Sequence, residues 1–310
     1  MARVLRVHRS QLSLVAAAAC WGAATVVSKR ALDEIEPLAL LPIELVVSVA
    51  VLGAATRLRH EPLGWSPELR RLAALGVLNP GLAYALSLAG LARVSASVSV
   101  LLWALEPIVI LGIAFVVLRE RVPPRLASCM AAALAGVVMV VFQPGNHASP
   151  VGVALTTAGV AACAVYTVLS SRLLVASTTV VVVVFVQQVA ALWFALALFC
   201  GSLLVSDPPS LAAVSATAWV SAIVAGSLYY GVAFWLYLAG LRGVTASFAG
   251  LFINLVPVFG IATGYVVLDE RLSPRQWTGA LTVVVAVVIA ALLLGGRGSS
   301  AEDDAERVEA

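Results

Sequence analysis

The sequence predicts an all-α membrane protein with ten transmembrane helices arranged as two inverted five-helix repeats. A very apolar composition, the positions of arginine and lysine, and an internal repeat predict this fold. Hydrophobic residues make up 62% of the 310 residues and charged residues 11%, and the mean hydropathy is +1.04. A water-soluble domain carries roughly a quarter charged residues. Runs such as 180–184 and 283–294 do not alternate apolar with polar residues, so we expect helices rather than a transmembrane barrel.

Charged residues and clusters of proline and glycine divide the chain into apolar segments long enough to cross ~30 Å of hydrocarbon. The expected helices of the first repeat, α1 to α5, lie at 11–29, 38–56, 72–92, 94–118 and 126–143. Those of the second repeat, α6 to α10, lie at 152–171, 179–201, 216–240, 244–268 and 276–295. The corresponding domains are 1–145 and 150–295. We expect the acidic cytoplasmic tail at 296–310 to be disordered.

Arginine and lysine are distributed unevenly between the expected loops. A cytoplasmic N-terminus places fourteen of them on the cytoplasmic side and five on the outer side. Membrane proteins retain basic loops in the cytoplasm. Because ten helices return the chain to its starting side, we expect a multi-pass protein of the inner (cell) membrane with both termini in the cytoplasm.

The chain repeats itself at an offset of 150 residues. Gly81–Arg125 aligns without a gap onto Gly231–Arg275, with 20 of 45 positions identical. Proline and charged positions stay in register: Pro107 matches Pro257, and Glu120 matches Glu270. Because each repeat holds an odd number of helices, the two copies cross the membrane in opposite directions. Inverted repeats are typical of secondary transporters, whose substrate site lies near the midplane.

Several local motifs recur in a known transporter family. They are Trp21-Gly22 with Lys29 in α1, the segment Leu91–Ser97 before α4, Pro107, and Leu118–Arg121 at the end of α4, together with their counterparts in the second half. With these motifs the chain resembles the ten-helix EamA-type members of the drug/metabolite transporter superfamily over about residues 11–295. The resemblance implies that α1–α4 and α6–α9 surround a central cavity, with α5 and α10 at the periphery. Many relatives carry an arginine about seven residues after the proline of α2, where this chain has Glu44.

Two acidic residues lie well inside expected helices, where a charge costs at least ~2.5–3.5 kcal/mol. Glu106 continues a face of α4 formed by Ser95, Ser99 and Leu102, and is a candidate for proton coupling or for recognition of a substrate amine. The alternative for Glu106 is a packing role beside Pro107. Glu44 is a candidate cavity residue, or alternatively a partner of Lys29 or Arg30.

Polar and aromatic side chains within the helices complete the candidate cavity. Aromatic rings there would bind apolar, aromatic or cationic solutes, although for each ring taken singly a packing role is the simpler interpretation. The full set of candidate cavity residues is Trp21, Thr25, Glu44, Tyr84, Ser99, Trp103, Glu106, Tyr166, Gln188, Tyr230, Trp235 and Asn254.

Four further residues are expected to act in the framework. Pro107 and Pro257 lie inside α4 and α9, where a proline kinks a helix. Glu120 and Glu270 lie at helix ends, and we expect them to act as caps and interfacial anchors, with a gating ion pair as the alternative. Neither a metal site nor a cofactor is expected.

The expected function is a secondary transporter, most simply an exporter, of a small organic metabolite, an amino acid-like compound or a drug. Alternating access would arise from movement of the two halves around the site between them. The sequence has no Walker motif, and its three histidines lie outside the helices, so neither direct use of ATP nor an enzyme is expected. The alternative is a membrane scaffold or assembly protein without transport. Expected partners are a small-molecule substrate and the lipid bilayer, with no nucleic acid, and the chain would be a monomer or homodimer.

Overall fold

The computed structural model describes residues 2–61, 64, 66–117, 123–143, 146–173, 179–205, 207, 209–241 and 252–309. Seven helices in this part are long and apolar enough to span a bilayer, and three further apolar helices are shorter. The all-α architecture of ten membrane helices in two inverted repeats is therefore present. Two-residue strands at Phe142–Gln143 (β1) and Asn146–His147 (β2) pair antiparallel between the repeats.

Most helix bounds lie within a few residues of those expected, but α1 begins earlier and α10 ends later. The first repeat consists of α1 (Ala2–Ala31), α2 (Pro37–Leu58), α3 (Pro67–Leu75 and Ala83–Leu91), α4 (Ala96–Trp103 and Glu106–Val117) and α5 (Pro124–Val141). The second consists of α6 (Pro150–Leu173), α7 (Val180–Ser202), α8 (Ala216–Gly226 and Ala233–Leu241), α9 (Val256–Val267) and α10 (Pro274–Glu309), with a short 3-10 turn at Leu211–Ala213 before α8.

Proline and serine set the beginnings of many helices. Helices α2, α3, α5, α6 and α10 each begin with a proline, whose missing N–H is one that the first turn could not bond in any case. Five helices begin just after a serine whose hydroxyl accepts a backbone N–H of the first turn. These are Ser66 before α3 (3.1 Å), Ser95 before α4 (3.2 Å), Ser149 before α6 (3.3 Å), Ser215 before α8 (3.2 Å) and Ser273 before α10 (3.2 Å).

The last helix, α10, extends to Glu309 and so includes residues 296–309 of the acidic tail, whose expected disorder stays a prediction. Alanine, glutamate and arginine are strong helix formers, and they dominate residues 301–309. The acidic composition of the tail disfavours a packed core, but it is compatible with a helix.

Four helices near the centre are interrupted at positions 150 residues apart. Helix α3 kinks at Val77–Leu82 and α8 has a π turn at Ser227–Val232. Helix α4 has a turn at Ala104–Leu105, and the described part of α9, which starts at residue 252, has a turn at Asn254–Leu255. Residues 242–251, which include the expected beginning of α9, lie outside the described residues. Interrupted helices free backbone groups at membrane depth, which is tolerated only where protein or a cavity surrounds them. The repeat therefore governs the location of the irregular backbone as well as the helix order.

The repeats interlock rather than lying side by side. Helix α1 packs against α8 and α9, and α6 packs against α3 and α4, so each repeat contributes helices to the other half. Helix α2 packs against α8, and α7 packs against α3; α2 and α7 also pack extensively against each other. The helices thus form two four-helix units, α1/α2/α8/α9 and α3/α4/α6/α7, which meet along α2 and α7, while α5 and α10 pack against each other.

Close backbone contacts hold each unit together. A Cβ added to Gly76 of α3 would lie 2.1 Å from the carbonyl oxygen of Gln187 in α7. A Cβ on Gly226 of α8 would lie 2.6 Å from the carbonyl oxygen of Glu44 in α2. The two glycines are 150 residues apart, so each unit uses the same contact. Between the units, by contrast, the near neighbour of Gly260 is the side chain of Val100.

Candidate functional site

A small cavity lies between the two units, where the interrupted helices meet. Its volume is about 20 Å³, enough for about one water molecule. Its polar wall comes from α1 and α2: the Ser28 hydroxyl donates to Glu44 Oε1 at 2.6 Å, and Thr25 lies one turn earlier on α1. Glu44 is 1% exposed. The cavity therefore contains a deeply buried carboxyl group.

The opposite wall is aromatic and centres on Tyr84, which follows the kink of α3. Its ring stacks on Trp103 of α4 with centroids 5.3 Å apart and planes at 29°. It also meets the rings of Tyr229 and Tyr230 in the π turn of α8, at 5.2 and 5.1 Å. Aromatic pairs at these separations attract each other beyond simple burial. The cluster joins the two units across the centre of the protein.

The lining includes six of the residues that the sequence suggested: Thr25, Glu44, Tyr84, Ser99, Trp103 and Tyr230. It also includes Ser28, Ser87 and Tyr229, which the sequence analysis did not select. Tyr229 is adjacent to Tyr230, and neighbours in a regular helix point about 100° apart. The π turn alters this geometry, so both rings reach the cavity. The only signal available in advance was the repeat, which places these tyrosines opposite Asn79 and Pro80.

Other candidates hold helices together outside the cavity lining. The Trp21 indole donates to the carbonyl oxygen of Tyr229 at 3.0 Å. The Tyr166 hydroxyl donates to Gln187 Oε1 at 2.8 Å, and Gln188 donates to the carbonyl oxygen of Tyr230 at 3.0 Å while accepting from Ser48. These bonds satisfy polar groups that would otherwise be costly in the bilayer.

Three candidates that were expected to line the cavity lie farther from it. Glu106 accepts from Cys163 Sγ at 3.4 Å and Thr167 Oγ1 at 3.2 Å, and so faces α6 beside the cavity. Trp235 is 43% exposed and lies beneath the Arg59 guanidinium, 5.7 Å from its ring centroid, so it belongs to the outer surface. Asn254 lies in the turn before α9, where its buried amide nitrogen finds no hydrogen-bond partner among the described residues.

The two basic residues suggested as partners of Glu44 lie elsewhere. Lys29 Nζ donates to the carbonyl oxygen of Leu91 at 2.8 Å, and Arg30 is exposed. The one ion pair among the described residues joins Arg271 to Asp269 and does not involve Glu44. Glu44 therefore faces the cavity without a cationic neighbour from the part of the chain that the structure describes.

Glu270 joins the two units at the end of the bundle where α1 ends. Its carboxylate accepts from the backbone N–H of Ala96 at 2.7 Å, and from the N–H and hydroxyl of Ser97 at 2.9 and 2.5 Å. It thus caps α4, in the other repeat, at the positive end of the helix dipole. We call this contact the Glu270 latch. Glu120, its repeat counterpart, lies outside the described residues.

The latch separates the cavity from a large open vestibule of about 910 Å³. Ser95 lines the vestibule, and Ser99, one turn further along α4, lines the cavity. Charged residues surround the vestibule, among them Lys29, Asp33 and Arg93. The Glu270 latch therefore lies at the end of α4 that faces the vestibule.

Comparison with known proteins gives consistent results. The profile of the EamA-like transporter family matches residues 9–142 and 150–292. Protein PecM of Dickeya dadantii is 26% identical over 273 residues, which cover 86% of this chain and 87% of PecM. An uncharacterized transporter of Archaeoglobus fulgidus is 23% identical over 267 residues, covering 86% and 93%. One solved crystal structure, at 19% identity, has a TM-score of 0.65 over 92% of this chain and 97% of its own, a similarity of fold.

Proposed function

The chain belongs to the EamA-like transporter family, and we propose that it exports a small organic solute across the inner membrane by alternating access. The solute is a metabolite, an amino acid-like compound or a drug. The observation that carries the proposal is the central cavity, built from both repeats at the interruptions of α3, α4 and α8. Transporters place substrate sites at discontinuous helices where inverted repeats meet.

The moving bodies in this proposal are the two four-helix units rather than the two halves of the sequence. Backbone-to-backbone contacts such as Gly76 with Gln187 lie within a unit, and close packing of this kind resists deformation. The contacts between units are side-chain contacts: Tyr84 with Tyr229, Ser48 with Gln188, and Glu270 with Ser97. Side-chain contacts can be exchanged when the units rock, so the cavity opens alternately to each side.

The orientation in this proposal follows the basic residues. With both termini in the cytoplasm, the vestibule and the Glu270 latch face the outside. The cavity, at about 20 Å³, is too small for an organic solute, so the described conformation is a closed one. Opening the latch admits the outer solution, and opening the opposite end admits the cytoplasm.

Proton coupling through Glu106 is the next part of the proposal. Its carboxyl group lies at the turn of α4, within hydrogen-bond reach of Cys163 and Thr167. A permanent negative charge is costly inside the membrane, so a carboxyl group at this position favours binding and release of a proton. We expect Glu106→Gln to abolish acceleration of efflux by an inward proton gradient while leaving downhill exchange of solute measurable.

The measurement is flux in proteoliposomes with and without a pH gradient. Thr167→Val, which removes one hydrogen bond and no titratable group, serves as the comparison and should retain the acceleration. Gradient-driven flux of undiminished size in Glu106→Gln would remove Glu106 from coupling.

The proposed function itself is tested by a resistance screen. Cells that overproduce the chain are grown on a panel of toxic metabolites, amino acid analogues and drugs, and each solute that they tolerate is then measured in proteoliposomes. We expect protein-dependent flux of at least one such solute. A protein that confers no resistance and carries no flux would instead support a scaffold or assembly role.

A further inference from the structure

The cavity between the units has a single negative group in a strongly aromatic lining. Glu44 is the one acidic residue in the described lining, which includes no lysine, arginine or histidine. The other large side chains are Tyr84, Trp103, Tyr229 and Tyr230. A buried carboxylate with no compensating charge is costly unless it is paired. The cavity therefore favours a positive charge as its occupant and disfavours a negative one.

The close contact of Gly226 with α2 uses the backbone of Glu44 and not its carboxyl group. Gly76 and Gly226 are repeat partners, and each packs against the backbone of one residue in the neighbouring helix: Gln187 in α7 and Glu44 in α2. Glu44 and Gln187 thus occupy equivalent positions in the two units. The amide of Gln187 is satisfied within the protein, because it accepts from Tyr166 at 2.8 Å and donates to the Leu72 carbonyl oxygen at 3.1 Å.

Glu44 is bonded differently from its counterpart. Its described hydrogen bond is the one from the Ser28 hydroxyl, and the side chain forms part of the cavity wall. An amide at this position would serve helix packing equally well, as Gln187 shows. The backbone contact with Gly226 does not require an acid here, so the carboxyl group is available to a solute that enters the cavity.

The aromatic rings supply the second half of a cation site. The faces of Tyr84 and Trp103 belong to one unit, and Tyr229, Tyr230 and Glu44 belong to the other. The faces of tryptophan and tyrosine rings attract an organic cation, and the attraction is strongest where water is excluded. When the units separate, a cation can enter between these rings with its charge beside Glu44.

We infer that this cavity binds a small organic cation, an amine in its ammonium form attached to an apolar or aromatic body. The inference rests on the proposed transport function and specifies its substrate class. The ammonium group bonds Glu44, and the apolar body stacks between Tyr84 and Tyr229.

Three isosteric probes test the charge requirement: phenethylamine (cationic), 2-phenylethanol (neutral) and phenylacetate (anionic). Binding to the full chain in detergent micelles is measured by calorimetry at neutral pH. We expect the amine to bind at least about 10-fold more tightly than the alcohol, with the anion weakest, as a charge-assisted bond and cation–π contacts imply. An amine that does not bind, or that binds no more tightly than the alcohol, overturns the inference.

Matched variants locate the effect. Glu44→Gln should erase the preference for the amine while leaving the protein folded, since glutamine occupies the equivalent position of α7. Glu68→Gln, at an exposed carboxyl group near the start of α3, should leave the preference unchanged. Tyr84→Phe should retain it because the ring remains, whereas Tyr84→Leu should weaken amine binding. A preference that survives Glu44→Gln overturns the inference.

Flux of the amine in proteoliposomes separates this inference from the proposed function. Amine binding that depends on Glu44 without any flux would overturn transport and leave the cation site intact. Flux of another solute, found by the resistance screen, with no preference for the amine would overturn the cation site alone.

Discussion

Replacing Gly76 with alanine is expected to lower the free energy of unfolding by roughly 3 kcal/mol, because overpacking against rigid backbone costs up to this much or more. The new Cβ would lie 2.1 Å from the carbonyl oxygen of Gln187 and 2.7 Å from its Cα. Neither atom belongs to a flexible side chain, so α3 and α7 must move apart. Because total stability is only about 5–15 kcal/mol, a loss of this size should lower the melting temperature and the yield of folded protein clearly.

The measurement is the thermal melting temperature and the yield of monodisperse protein in detergent. Gly201→Ala is the matched control: among the described residues, no atom of a neighbouring helix lies within 4 Å of its Cβ position, and alanine favours the helix by up to ~1 kcal/mol. Gly226→Ala, the repeat counterpart, should behave like Gly76→Ala. Equal stability of the Gly76 and Gly201 variants would show that α3 and α7 are not in this contact.

Replacing Glu270 with alanine is expected to open the cavity to the vestibule. The carboxylate accepts three hydrogen bonds from Ala96 and Ser97, and charged acceptors of this kind contribute about 1.5–3 kcal/mol each when removed. Even one such contribution shifts a two-state equilibrium by roughly 10-fold or more. The closed conformation should therefore lose much of its population.

The shift can be measured by labelling a cysteine placed at Ser99, which is 2% exposed in the cavity wall. The rate of reaction with a membrane-impermeant maleimide, added from outside, should rise at least about 10-fold in Glu270→Ala. Arg271→Gln is the control, because Arg271 lies next to Glu270 in the chain but pairs with Asp269 at the surface and donates to the carbonyl oxygen of Tyr265. Labelling at the parent rate in Glu270→Ala would mean that the latch does not close the cavity.

The sequence was sufficient to predict the features of the fold that depend on the repeat and on hydropathy. Ten helices, their inverted arrangement and the equivalence of Pro107 with Pro257 all follow from apolar segment lengths and the 150-residue offset. The same offset relates the kink at Val77–Leu82 to the π turn at Ser227–Val232, although neither interruption was expected in advance. The repeat relates an interruption in one copy to an interruption in the other, but the sequence alone does not show that the helices are interrupted.

The site was only partly predictable, because sequence spacing describes one helix at a time. Glu44, Tyr84 and Trp103 were selected for being polar or aromatic at membrane depth, and all line the cavity. Trp235 met the same criterion but lies on the outer surface, because a lipid-facing and a cavity-facing side of an apolar helix have similar composition. The contact of Glu270 with α4 spans 173 residues, which no local pattern could indicate.

Reversible cross-linking across the latch tests the central claim, alternating access between the units, most directly. Cysteines replace Ser97 and Glu270 in a background without the four native cysteines, and a short bifunctional thiol reagent joins them. Flux in proteoliposomes of a solute found by the resistance screen is measured before cross-linking, after it, and after reduction. A control pair, Ser128→Cys with Thr282→Cys, joins the peripheral α5 and α10.

The account predicts that cross-linking the latch stops flux, that reduction restores it, and that the control cross-link between α5 and α10 leaves it unchanged. Undiminished flux through protein whose latch is fully cross-linked would contradict alternating access by movement of these two units.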